Sequence, residues 1–272
     1  MINDGANIRD QFFAAIVHTA NQNRFANELK NLHIQDNNFL RAVEGIDKVK
    51  EFVGSPENIL GNEGTKHGEI AEQVEVGIRR ARQVLEGNDM TATFEGVGRT
   101  APEDYILDGI MVQSKYINGT NNNLSAVLEH MEKYSHFGRD GSYYHIPRNE
   151  FDVVKRIMAG ETGVEGMNSR TIEAIKDKIN QIEYTSGKNF EDVVKPGISD
   201  YAEVQKGKIF QTIDNHEKQL VQNNREKKLQ ISEDHQANFG EAVKVAGIAA
   251  AVGGAISITT CLYQKSKEGK KF

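Results

Sequence analysis

The chain has 272 residues, enough for one moderate or two small domains with a buried core. Its formal net charge of −6 argues against a protein that coats nucleic acid through bulk charge, while leaving room for a local basic groove. Cys261 is the only cysteine, which excludes a disulfide framework and a cysteine-rich zinc site. The opening Met1-Ile2-Asn3-Asp4-Gly5 lacks the basic-then-apolar pattern of a secretory signal, so the expected compartment is the reducing cytoplasm of a bacterial or phage-infected cell.

In chain order, residues 7–32 read as a helix, with Ile8, Phe12, Ile16, Ala20 and Phe25 at roughly helical spacing. A second helix over 36–52 carries Phe39, Leu40, Val43, Ile46, Val49 and Phe52, and Gly54-Ser55-Pro56-Glu57 stops it. Residues 1–60 are thus expected to form a helical cap without catalytic pattern. After the loop Gly61-Asn62-Glu63-Gly64, Thr65 is placed to cap a helix over 66–85 whose buried stripe is Ile70, Val74, Ile78, Ala81 and Leu85. Gly68 and Gly77 would let that helix approach a sheet closely. His67 falls on the same stripe, where a half-buried, hydrogen-bonded histidine is expected rather than a catalytic one.

Residues 90–94 alternate and are threonine-rich, as a strand would be. Residues 96–101 are a loop, with Arg99 available for a phosphate. Tyr105–Leu107 and Ile110–Val112 then flank Asp108-Gly109, a strong hairpin signal. With that turn, Leu107 pairs with Ile110, Ile106 with Met111, Tyr105 with Val112 and Asp104 with Gln113. Opposed residues share a face, as do residues two apart on one strand. Asp104, Gln113 and Lys115 therefore converge on one face at the open end of the hairpin. A carboxylate, a carbonyl oxygen and an ammonium so placed can hold a divalent metal and a water beside a phosphate. An irregular polar run over 118–123, a helix over 124–134 and a short strand over 142–146 follow.

The spacing of Asp104 (after Pro102-Glu103) and Gln113-Ser114-Lys115 resembles the signature of the PD-(D/E)xK nuclease superfamily, in the Q-x-K form of Mrr-type members. Glutamine stands here where most members carry an acid. The element order helix, strand, hairpin, helix, strand is similar to the αβββαβ core of that superfamily. The resemblance implies an α/β, restriction-endonuclease-like core over 61–160 with helical N- and C-terminal extensions. It also implies Mg²⁺ or Mn²⁺ as cofactor, held by Asp104, Gln113 and an acid of the first core helix. His67-Gly68-Glu69-Ile70-Ala71-Glu72 is similar to that helix, and Glu69 and Glu72 both remain candidates. Lys115 would act on the water and the transition state, and nucleic acid, DNA before RNA, would be the substrate.

Beyond the core, helices are expected over 149–158 and 168–182, and after Pro196-Gly197 a long charged helix over 200–236. Its apolar residues are sparse for a coiled coil, so an exposed linker or one arm of a helical hairpin is expected within the 161–240 extension. The tail over 241–272 differs in kind. Residues 245–263 carry no charge, close to the roughly 20 residues that cross a bilayer. Ala246, Ala250 and Gly254 give a small-residue spacing used by packed membrane helices. Lys265, Lys267, Lys270 and Lys271 follow on the side that the positive-inside tendency disfavours. Inner-membrane association and a buried or self-associating helix both stay open. Three functions follow: a metal-dependent nuclease of a phage-defence or mobile-element system, a catalytically silent interaction or anchoring protein on the same fold, and a membrane-acting effector working through its tail.

Overall fold

The computed structural model describes residues 4–55, 59, 66–98, 100–164 and 166–236. Among these, residues 4–41 with 219–236 form one compact unit, and residues 42–218 form another.

The larger unit is mixed α/β. Its sheet has four strands in the order β1-β2-β3-β4: Tyr105–Leu107, Ile110–Ser114, Tyr143–Ile146 and Val194–Pro196. β1 and β2 form the expected hairpin, with Tyr105 opposite Val112, Ile106 opposite Met111 and Leu107 opposite Ile110. Asp108 (φ 52°) and Gly109 (φ 77°) both take the left-handed conformation that a tight two-residue turn of this hand requires. β3 and β4 then add in parallel to β2. Alternation sends Tyr105, Leu107, Val112 and Tyr143 to one face, where Val76 of helix α2 (Lys66–Glu86) packs on them. Tyr144, Ile146 and Val194 meet helices α3 (Thr120–Lys133), α4 (Arg148–Met158) and α5 (Ser169–Ser186) on the other. Burying seventeen such residues in that second layer supplies its main cohesion.

Several local expectations change. Residues 90–94 do not form a strand: Thr93 alone exchanges two backbone hydrogen bonds with Ile106, both 2.8 Å. Glu95-Gly96 then turns the chain away, Gly96 at φ 85°. The run over 118–123 is partly helical, since α3 starts at Thr120. Asn123 is fully buried there and closes a bracket, accepting from Ile117 N (3.0 Å) and donating to Ile117 O (2.6 Å). A side-chain amide thus replaces the backbone partners that a loop would have lacked. The helix α6 (Phe190–Val193) and β4 were absent from the sequence reading; Pro196 ends an edge strand, where a missing donor is tolerated. The helix expected over 200–236 is instead a 3₁₀ turn, Tyr201–Val204, then α7, Ile209–Gln236, with Gly207 (φ 90°) between them. Gly77 admits a neighbouring helix rather than the sheet: a Cβ there would stand 2.1 Å from Val49 Cγ2, while one at Gly68 would meet nothing within 4 Å.

The two N-terminal helices are one, α1, Asp4–Gly54. Its buried positions Leu32, Gln35, Phe39, Ala42, Ile46, Val49 and Val53 step alternately by three and four, the spacing of a helix–helix seam. No glycine or proline interrupts 32–36, and the polar Gln35 hid the continuity of the stripe. Phe25 and Leu40, read as buried, are exposed. In the smaller unit, Gln35 Nε2 donates to Asn224 Oδ1 (3.0 Å) and Lys228 pairs with Asp36, so α1 meets α7 through a polar layer. Among the described residues no helix is long and apolar enough to cross a membrane. Thr65, Arg99 and the uncharged run over 245–263 lie outside the described residues.

Candidate functional site

The hairpin register fixes the centre of the site. Asp104 stands one residue before β1, and its amide donates to Val112 O (2.9 Å), the residue that Tyr105 already faces, so the regular register ends there. Its carboxylate accepts from Ser114 N at 2.7 Å and from the Gln113 side-chain amide. The expected cross-strand pair of Asp104 and Gln113 is therefore present. Gln113 is buried, and its Nε2 also donates to Ser114 O (3.2 Å). Lys115 leaves the end of β2 with its amide on His145 O (2.8 Å), which keeps the strand course for one more residue. Its ammonium is attracted by the Asp104 and Glu72 carboxylates and, from α3, by Glu129.

Both candidate acids lie on α2. Glu72 is partly buried; burial, then the charges of Asp104 and Glu69, push its pKa up to about 9. The Glu72 carboxyl thus shares the Asp104–Lys115 cluster. Glu69, one turn nearer the helix start, acts there through its charge on Glu72. For Asp104, burial raises the pKa to about 6 against the hydrogen bonds from Ser114 and Gln113 and the charge of Lys115. Burial likewise holds Lys115 below the ordinary lysine value, in spite of its acidic neighbours.

Two partly buried carboxyls, each with its pKa raised by burial, stand within reach of the Lys115 charge. Among the described residues, no group of three or more His, Cys, Asp or Glu side chains is gathered into a metal cage. The residues present suit a hard ion that keeps water and borrows substrate oxygens, as Mg²⁺ does with one or two carboxylates.

His67 is structural, as its place on the stripe suggested: its Nε2 lies 2.8 Å from Tyr116 O, and its ring meets Tyr201 edge-on. The polar side of α3 was missed. His130 is buried, its Nδ1 2.9 Å from the Tyr144 hydroxyl, and burial together with the charge of Lys115 brings its pKa down to about 4. Glu129 and Lys133, spaced by four on that helix, both act on Lys115. That spacing was the available signal. Comparison with protein-family models, with curated proteins and with solved structures finds no match for this chain.

Proposed function

We propose that the chain is a metal-dependent nuclease of the PD-(D/E)xK kind that hydrolyses phosphodiester bonds, with DNA as the favoured substrate. One observation carries this: Asp104 and Gln113 are hydrogen-bonded at the open end of a hairpin, and the charge of Asp104 is felt by Lys115, just past β2, and by Glu72 of the preceding helix. The order α2, β1, β2, α3 and β3 supports the same reading in part: it is αββαβ, with the isolated Thr93 bridge standing where the αβββαβ pattern has its first strand.

Asp104 and Glu72 would hold Mg²⁺ or Mn²⁺, with the Gln113 carbonyl as the neutral third donor. When bound, the ion supplies Lewis-acid polarisation of the scissile phosphate. Ser114 N fixes the Asp104 carboxylate, so that ligand costs little to orient. Lys115, when protonated, would stabilise the negative charge that grows on the phosphoryl oxygens. Plasmid, linear DNA and RNA, each incubated with Mg²⁺, Mn²⁺ or chelator, test the reading. Cation-dependent nicking or cutting of DNA is expected, and no cleavage of any substrate under any cation would reject it.

The silent interaction protein has one observation in its favour. The Gln113 amide spends its NH₂ on Asp104 and Ser114 O, an arrangement that neutralises Asp104 without any ion. Gln113→Glu separates the two: a working glutamine tolerates the change or shifts its metal preference, whereas a decayed site gains activity that the parent lacks.

A further inference from the structure

One turn beyond Glu72 on α2, Glu75 is 1% exposed. Its Oε1 accepts from Arg79 Nε (2.5 Å) and lies 3.4 Å from His145 Nδ1 of β3. Its Oε2 accepts from Ile198 N (2.7 Å), just past β4. The same pocket holds the Tyr105 hydroxyl, 2.7 Å from His145 Nδ1, and the Tyr116 hydroxyl, which donates to Ser199 O (3.0 Å). Space there is fully used: a Cβ on Gly197 would stand 2.2 Å from Tyr116 Oη and 3.2 Å from Glu75 Oε2. One carboxylate therefore joins α2, β3 and the turn after β4, while Tyr116, the residue after Lys115, is pinned to that turn.

We propose that Glu75 is a positioning residue of the candidate site, clamping α2 and the 197–199 turn so that Glu72 is held against Asp104 and Lys115. The inference rests on the metal-dependent reading above. Residues three apart on a helix project from the same side, about 4.5 Å apart along its axis. Any slide or roll of α2 released at Glu75 is therefore passed to Glu72 nearly undiminished. A displacement of about 1 Å at such a site is enough to cost two orders of magnitude in rate. Glu75→Gln keeps the shape but turns an NH₂ toward either Arg79 Nε or Ile198 N, so one donor faces another and the clamp opens.

A double-mutant cycle on the full chain distinguishes positioning from general stability. Mn²⁺ affinity by calorimetry and cleavage rate are measured for the parent, Glu75→Gln, Glu72→Gln and the double variant, with circular dichroism as a check on folding. Glu75→Gln is expected to weaken Mn²⁺ binding at least about tenfold in the parent background and to have no further effect once Glu72 is glutamine. Equal losses in both backgrounds mark Glu75 as merely structural and overturn the proposal. Unchanged Mn²⁺ affinity in Glu75→Gln overturns it too, and leaves the nuclease reading standing. A parent chain that binds no Mn²⁺ removes the metal reading and the positioning role together. If Glu75→Gln does not fold, Glu75→Asp, which keeps the charge but retracts it by one methylene, takes its place with the same expected pattern.

Discussion

Glu72 and Glu75 lie one turn apart on the same helix, Glu75 fully buried and Glu72 partly so, and their surroundings are opposite. Glu75 is met by donors, the Arg79 guanidinium and the Ile198 amide. Glu72 is met by other carboxylates, Asp104 and Glu69, with Lys115 as the offsetting cation. The first arrangement completes itself when the chain folds. The second sets like charges against one another, which costs stability. The two glutamates are thus told apart by what each one faces.

The largest expected effect lies in the chemistry. Asp104→Asn keeps an acceptor for Ser114 N but removes the charge, and cation-dependent cleavage should fall by about a thousandfold or more, roughly 4 kcal/mol. Rates from single-turnover assays on plasmid check this, and undiminished cleavage would dismiss Asp104 as a ligand.

Stability should separate the two glutamates by sign. Glu75→Gln breaks a buried charged contact and should cost about 3 kcal/mol. Glu72→Gln removes a crowded carboxyl and should stabilise the chelator-treated protein by about 1 kcal/mol or more at pH 8. Denaturant melts of both variants decide it; shifts of the same sign would erase the contrast.

The pH response sharpens the same point. The folded pKa of Glu72, about 9, lies above its ordinary 4.5, so the folded state keeps a proton that the unfolded chain releases. That contribution is complete below pH 4.5 and is lost as the pH rises toward 9. Asp104, raised from 3.8 to about 6, adds a smaller loss in the lower part of the window. The metal-free protein should thus melt lower by about 5 °C or more at pH 8.5 than at pH 5.5, with a flatter profile for Glu72→Gln. Parallel profiles for the two proteins would show that Glu72 is not the proton-retaining group. Smallest of all, Glu69→Gln should change cleavage by less than about threefold, because the Glu69 charge has the smaller effect of the two carboxylate charges acting on Glu72.

Elements whose signal is local were legible in the sequence. The hairpin, its register and the meeting of Asp104 with Gln113 follow from Asp108-Gly109 and a period of two. Helices α2, α4 and α5 follow from their apolar spacing. Partnership at a distance was not legible. Which of Glu69 and Glu72 comes nearer Asp104 depends on how α2 is turned toward the hairpin, and the two residues differ by less than a helical turn in sequence. β4 is three residues ending in proline, too short to carry a pattern, and exists because β3 pairs with it. The unbroken course of α1 was hidden by Gln35, whose amide pairs with Asn224, a residue 189 positions away. In each case a partner distant in sequence decides what hydrophobic periodicity does not encode.

The bond from Ile198 N to Glu75 closes a loop of 123 residues, whereas the hairpin beside it closes across two. Loop closure of that span is slow and is rewarded only after the intervening sheet and helices are in place. The hairpin can form as soon as residues 104–115 are available; the clamp must wait for the chain through 198. Glu75→Gln should accordingly leave the refolding rate nearly unchanged and accelerate unfolding, the signature of a contact absent from the transition state. The placement of Glu72 is then among the last features acquired, so a growing or partly folded chain would carry the hairpin half of the site before the helix half that completes it.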